Sequence, residues 1–434
     1  MDNIERHPPR GAPAGKERVR SRTPLTLFLL SSSYIAITLN IQGFVGMLPL
    51  VQREFVLSGA QAGLYTSFYF LSATIIAVLS GRIVDRIGTG WGLILGVGTV
   101  AIMMLLHAIS PVYALILIFA FFTGMGFSLI TPSVSKGVIE NVSSGRRASA
   151  MGVVHGVGGS GALIGTAVLP FLGQLYGWRV VLAASGAIAG VIALTIYRFY
   201  PRKRRDEAPP SAVHADETTG SPAAGDEAPK SFRREISEVL GNGPLITICV
   251  LGVVFGMSLS SITGHMTLFL AQDLGYTPAA AGIGLAAFHV GGIVGQPSWG
   301  VINDRLLGGR RRFGLIALAL LTTAMGLFFG LVVSTGVLPF SLILVSSGLF
   351  GFIVLGIPGL YFTSVSELVP GRQAGLATGI ALVFSRTGVV LAAPVFGFLS
   401  DRTGDYSASW IALASVVFLF AATVISLSHR YKMP

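Results

Sequence analysis

Twelve long apolar stretches separated by short polar breaks dominate the chain, over residues 25–49, 60–80, 92–110, 112–135, 148–171, 180–200, 244–270, 279–299, 313–333, 338–363, 374–398 and 409–428. A helix needs about 20 apolar residues to cross a hydrocarbon core, and each stretch comes close to that length. The pattern predicts an all-α membrane protein with six spans on either side of one hydrophilic interruption. That interruption, residues 201–240, opens on Arg202-Lys203-Arg204-Arg205 and runs on through Ala, Pro, Glu and Asp. Such a composition cannot bury a core and reads as a flexible linker. The expected organisation is a tail over 1–23, a six-helix unit over 24–200, the linker, a second six-helix unit over 241–429 and a tail over 430–434.

The two units repeat each other. Gly81-Arg82-Ile83-Val84-Asp85-Arg86 ends the second apolar stretch, and Gly300-Val301-Ile302-Asn303-Asp304-Arg305 ends the eighth, 219 positions later (300 less 81). The same register lays Gly63 over Gly282. A second repeat puts Glu140 and Gly145-Arg146-Arg147-Ala148 before the fifth stretch, and Glu367 and Gly371-Arg372-Gln373-Ala374 before the eleventh. Those two stretches also end alike, with Leu169-Pro170-Phe171-Leu172-Gly173 against Ala393-Pro394-Val395-Phe396-Gly397. Internal repeats of this kind mark many secondary transporters, whose substrate sites lie between the copies.

Charge sets the topology. Of the 30 Lys and Arg residues, all but Arg53, Arg179, Arg386 and Arg402 fall on one side if the N-terminus is cytoplasmic, which leaves 26 on the inner side. This satisfies the positive-inside bias and predicts a multi-pass protein of the cytoplasmic (inner) membrane with both termini cytoplasmic. The net charge of +11 is then a matter of topology and of attraction to anionic headgroups; the arginines are too dispersed for a nucleic-acid groove. The first apolar run is too long for a signal peptide and is expected to be retained. Cys249 is the one cysteine, so neither an intramolecular disulfide nor a CxxC metal site can form.

The stretch Gly81, Asp85, Arg86 and Gly88 resembles the Gly-x-x-x-Asp-Arg-x-Gly loop of the major facilitator superfamily. The second copy keeps Gly300, Asp304 and Arg305, but has Leu307 in place of the last glycine and Gly308 one residue later. The resemblance implies the major facilitator fold, twelve transmembrane helices in two pseudo-symmetric six-helix bundles, and a gating role for these six residues. It also implies that Asp85 latches the start of the eleventh span in the outward-facing state. A carboxylate suits that role because the N-terminal end of a helix carries partial positive charge. A plain topology-setting charge cluster is the alternative.

Arg386 is the strongest candidate for substrate chemistry. It lies 12 residues into the eleventh stretch, near the bilayer midplane at about 1.5 Å of rise per residue. An arginine there costs roughly 2.5 to 3.5 kcal/mol on insertion scales and faces a cavity or a partner. No Asp or Glu occupies the middle of any stretch, so either a substrate anion completes the guanidinium or helix carbonyls and water hold it. His289, mid-way along the eighth stretch, is a second donor or a packed histidine. His155 and His265 have weaker claims. Tyr65 and Tyr69, one turn apart, and Asn40 and Gln42 in the first stretch could complete a polar and aromatic cavity, or could be packing.

Several motifs fall away. Gly152, Gly156, Gly158, Gly159, Gly161 and Gly165 give Gly-x-x-x-Gly spacings suited to close helix packing, and the G-x-G-x-x-G match within them follows no strand. Asn141-Val142-Ser143 is a sequon on the expected cytoplasmic side. No Walker lysine, H-E-x-x-H or G-x-S-x-G motif occurs, so neither ATP-driven pumping nor hydrolysis is expected, and no catalytic residue, metal or cofactor.

The stretch from His265 to Tyr276 is similar to the corresponding segment of the oxalate/formate antiporter and monocarboxylate transporter branch. That branch places a basic residue in the eighth span, where this chain has His289. The resulting expectation is a transporter, functional as a monomer, that moves a small organic anion, a mono- or dicarboxylate, by alternating access. A proton or counter-anion would be coupled to it. The alternatives are a drug-efflux antiporter, whose fifth-span glycine motif Gly152 to Gly159 partly matches without its proline, and a transporter-like sensor.

Overall fold

The computed structural model describes residues 14–143, 146–200, 237–370 and 373–430; the expected linker up to 236 and both terminal tails lie largely outside them. Among the described residues the membrane-region α-helices are α1 (Ala14–Gly46), α2 (Leu48–Phe55), α3 (Gly59–Ile87), α4 (Thr89–Ile109), α5 (Tyr113–Asn141), α6 (Arg147–Tyr176), α7 (Trp178–Phe199), α8 (Gly243–Gln272), α9 (Pro278–Leu306), α10 (Arg311–Leu331), α11 (Phe340–Val354), α12 (Ile357–Glu367), α13 (Ala374–Thr403) and α14 (Ser407–Arg430). Ten spans among the described residues are long and apolar enough to cross a membrane, and the bent α3 makes an eleventh. The shorter apolar helix Ser407–Thr423 completes the expected twelve.

Two spans differ from the expected unbroken runs. The first ends at Gly46 and is followed by the short α2, and the tenth breaks between α11 and α12. Each new helix carries proline in its first turn, Pro49 and Pro358. Proline has no N–H to donate to the preceding turn and its ring crowds the carbonyl four residues back, so the ladder restarts there. The motif expected in a loop is helical: Gly81 to Arg86 complete the last turns of α3, and Gly300 to Arg305 those of α9. The connection to α4 is thus made by Gly88 alone, whose φ of 83° is the left-handed conformation that glycine adopts without penalty.

Packing repeats between the halves. In the first, α1 packs on α6, α3 on α5 and α4 on α7; in the second, α8 packs on α13, α9 on α11 and α10 on α14. These are the same three pairings of spans in each six-helix bundle. Glycine permits the closest approaches: a Cβ on Gly165 would sit 2.5 Å from the Leu39 carbonyl oxygen, and one on Gly388 1.9 Å from that of Val253. The halves meet along two seams, α3 against α13 and α6 against α9.

On the face opposite the motif, Arg179 fastens the first bundle. It donates to Glu54 at 2.6 and 3.1 Å and to the Ala108 and Ser110 carbonyls at 3.0 and 2.8 Å, while Trp178 donates its indole N–H to Glu54. This accounts for one of the few arginines outside the basic side.

Candidate functional site

The seams close at one end and part toward the other. Along α13, the positions facing α3 recur at three- and four-residue spacing, as one face of a helix requires. Asp401 and Gly397 meet Gly59; Ala393 meets Gly63; the Val390 carbonyl accepts from Ser67 at 2.5 Å; and Arg386 meets Ala73. A Cβ on Gly379, two turns beyond Arg386 on the same stripe, would meet nothing within 4 Å. The other seam behaves alike: a Cβ on Gly282 of α9 would lie 2.3 Å from the Thr166 carbonyl oxygen and one on Gly159 of α6 would lie 3.4 Å from Ile293, whereas Cβ atoms on Gly156 and Gly152 would meet nothing. Both helix pairs are antiparallel and diverge from the middle of the membrane toward the face bearing Asp85 and Asp304. The molecule is therefore open on the basic face and shut on the other.

Arg386 stands at the apex of that opening. Its guanidinium donates to the Ala73 carbonyl at 2.8 Å, across the seam and into the opposite bundle. Among the described residues no carboxylate lies within ion-pair distance of it. A guanidinium has five N–H donors, so one carbonyl leaves most of them to a further partner. The Tyr69 hydroxyl, buried without a hydrogen-bond partner, is within electrostatic range of both Arg386 and Tyr34. Tyr34 in turn packs edge-on against His155 at 4.8 Å, and His155 is exposed on the open stretch of α6. Tyr34 is the residue that sequence reasoning missed; a signal was available in its spacing, since it lies in the half of the first span nearer the basic face.

The other candidates are placed differently. His289 is buried on the stripe of α9 that carries Gly282 and Ile293 against α6, with Nε2 unpartnered, so it faces the second seam. Tyr65 does not reach the gap: it stacks on Phe44 at 3.9 Å and meets His107 inside the first bundle. Asn40 is likewise turned inward, donating to the Ala36 carbonyl at 2.7 Å and toward that of Ser185 in α7. For Tyr65 the reason is depth along the helix: it is level with Gly63, where the seam is shut against Ala393. Gln42 is half-buried on α1.

The two gating aspartates are engaged within their own bundles. Asp85 pairs with Lys136 at 2.8 Å, and Arg311 bridges Asp304 at 2.6 Å and Glu367 at 3.4 Å. Arg86 and Arg305 are exposed on the last turns of their helices, and Gly81 and Gly300 face open space. The Asp85 latch on the eleventh span is not made here, as befits helices parted on this face; Gly371 and Arg372 lie outside the described residues.

Twelve membrane-spanning helices in two bundles, closed at one face and open at the other with a half-buried arginine at the apex of the opening, define the architecture of a membrane transporter. The chain belongs to the Major Facilitator Superfamily, whose model matches residues 30–385 and 248–432. It is 25% identical over 410 residues to the fosmidomycin resistance protein of Escherichia coli (strain K12), covering 91% of each chain. It is 24% identical over 311 residues to monocarboxylate transporter 13 of Rattus norvegicus, covering 71% of this chain and 66% of the relative. Its fold is similar to the crystal structure of a bacterial homologue of the human lysosomal transporter Spinster in an inward-facing, unoccupied conformation. There the TM-score is 0.74 at 15% identity, over 96% of this chain and 98% of the other. Relatives named for drug resistance and for monocarboxylate transport share one fold, which leaves the solute to the site residues.

Proposed function

We propose that this transporter moves a small organic anion, a mono- or dicarboxylate, across the cytoplasmic membrane. With both termini cytoplasmic, the open face is the inner one, and the architecture described is the inward-open state. The observation that carries the reading is Arg386 at the apex, bonded to a lone backbone carbonyl of the opposite bundle. A carboxylate there would accept two parallel N–H bonds from the guanidinium, and the Tyr69 hydroxyl, buried within electrostatic range of Arg386, would supply a further donor. His289 is the second donor assigned, from the other seam. A proton or counter-anion accompanies the substrate, and the monomer is the transporting unit.

Flux of radiolabelled mono- and dicarboxylates into proteoliposomes tests this. Uptake is expected in the wild type, with Arg386→Ala reducing it at least tenfold. Arg386→Lys is expected to restore part of it, because a lysine keeps the charge but not the paired donors. Normal carboxylate flux through Arg386→Ala would overturn the assignment. A second reading, export of antibiotics, is favoured by the resistance protein that matches nearly the whole chain. Resistance conferred on a sensitive host without carboxylate flux would select it, and ligand binding with no flux of any kind would select a sensor.

A further inference from the structure

The closed face is held by an asymmetric device. Asp401, near the C-terminal end of α13, reaches across the seam to the first turn of α3, accepting from the Gly59 N–H at 2.6 Å and the Ala60 N–H at 2.9 Å. Those N–H groups have no partner within their own helix, and they form the positive end of its dipole. Ser58 and Gln61 form a reciprocal capping box on the same turn, so Asp401 is an additional, inter-bundle cap. His265 of α8 adds a contact from the same bundle: its Nε2 lies 3.2 Å from the Gly59 carbonyl, which can only accept, so Nε2 carries the proton there. Among the described residues the α6 and α9 seam has no equivalent at this face; there Gly282 meets the backbone of Thr166 and the ring of Pro170.

The antiparallel pairing of α3 and α13 gives this cap a counterpart. Asp85 lies 26 residues beyond Gly59 in α3 (85 less 59), and Asp401 lies 27 residues beyond Ala374 in α13 (401 less 374). Each helix therefore carries an aspartate near its C-terminal end, at the level of the other helix's N-terminus. The structure assigns Asp401 as the outer latch of a two-position switch: it caps α3 while the basic face is open, and releases it when Asp85 engages α13 on the other face. The two caps cannot form together, since the helices that meet at Gly59 are parted at Asp85, where the carboxylate is largely exposed and paired with Lys136. Asp401 is a gating residue that acts through the position of α3. The inference rests on alternating access and not on which solute is carried, so failure of the carboxylate reading leaves it standing.

The test reads conformation rather than flux. Thr66 is 5% exposed and lies on α3 against Gly264 of α8, inside the closed seam. In full-length protein carrying Cys249→Ala and Thr66→Cys, the rate of maleimide labelling reports opening of that face. Asp401→Asn is expected to raise it about tenfold, Asp85→Asn is expected not to raise it, and the double variant is expected to return toward the parent because both latches are weakened. If Asp401→Asn does not purify as a monodisperse species, Asp401→Glu is measured instead, with an increase of a few fold expected because the longer arm misplaces the cap. Labelling unchanged in the measured Asp401 variant, or raised equally by Asp85→Asn, would overturn the assignment.

Discussion

Replacing Gly397 with alanine should open the closed face by steric means alone. A Cβ there would lie 2.1 Å from the Gly59 carbonyl oxygen and 2.2 Å from its carbon, both rigid backbone atoms, whereas ordinary contact begins at 3.4 Å. The helices must separate by about 1.3 Å (3.4 less 2.1) at that point. One turn further on, the Asp401 bonds of 2.6 and 2.9 Å would stretch to about 3.9 and 4.2 Å, beyond hydrogen-bond reach. Overpacking of this kind costs about 1 to 3 kcal/mol. Because the strain exists only while this face is shut, it becomes a shift of the conformational equilibrium of roughly 5- to 150-fold. The Thr66→Cys reporter in the Cys249→Ala background measures it as an increase in labelling rate. Gly379→Ala, which adds its methyl where nothing lies within 4 Å, is the matched control and should give no increase. Labelling of Gly397→Ala at the parental rate would refute the argument, since it would mean that the crossing is looser than the backbone contacts require.

Other expectations concern stability and the site. Arg179→Ala leaves two backbone carbonyls without their donor and Glu54 with only the Trp178 indole, and should cost about 1 to 3 kcal/mol in thermal or denaturant unfolding; an unchanged midpoint would count against its fastening role. Burial pushes the Asp273 carboxyl, just past the end of α8, up to about 6, above its ordinary value of 3.8. The folded state then holds that proton more tightly, so the stability it contributes is complete below about pH 4 and is lost as pH rises through about 6. Asp273→Asn, which keeps an oxygen for the Tyr406 N–H, should therefore gain in melting temperature over the wild type near neutral pH and not in acid; a gain that is the same at both would contradict the assigned cause. Tyr69→Phe removes one hydroxyl within electrostatic range of Arg386 and should weaken substrate affinity several fold without altering the fold, measured as KM for flux; Tyr65→Phe, one turn nearer the shut face, should leave KM unchanged.

Hydrophobic patterning alone determined the number of spans and the two-bundle plan, because a bilayer admits few ways to satisfy a backbone and each crossing helix needs a long apolar run. The repeat between Gly81–Arg86 and Gly300–Arg305 likewise announced equivalent helices, since matched residues in matched helices make matched contacts. Arg386 was legible for the same reason: a charge in an apolar run has few tolerable places. Tertiary structure decided what depends on helix rotation and on distance across a seam. Tyr65 and Tyr69 share a face of α3 and both pack within their bundle, yet only Tyr69 comes within electrostatic range of the guanidinium, because it lies one turn nearer the level at which the bundles part. Nothing in the sequence pairs Asp401 with α3; its contact required the first turn of that helix, 342 positions earlier in the chain, to arrive within 2.6 Å. Which face is open is also invisible in sequence, since one set of residues must serve both states, and the contacts made at Gly59 and missing at Gly379 exist only once the bundles are placed against each other.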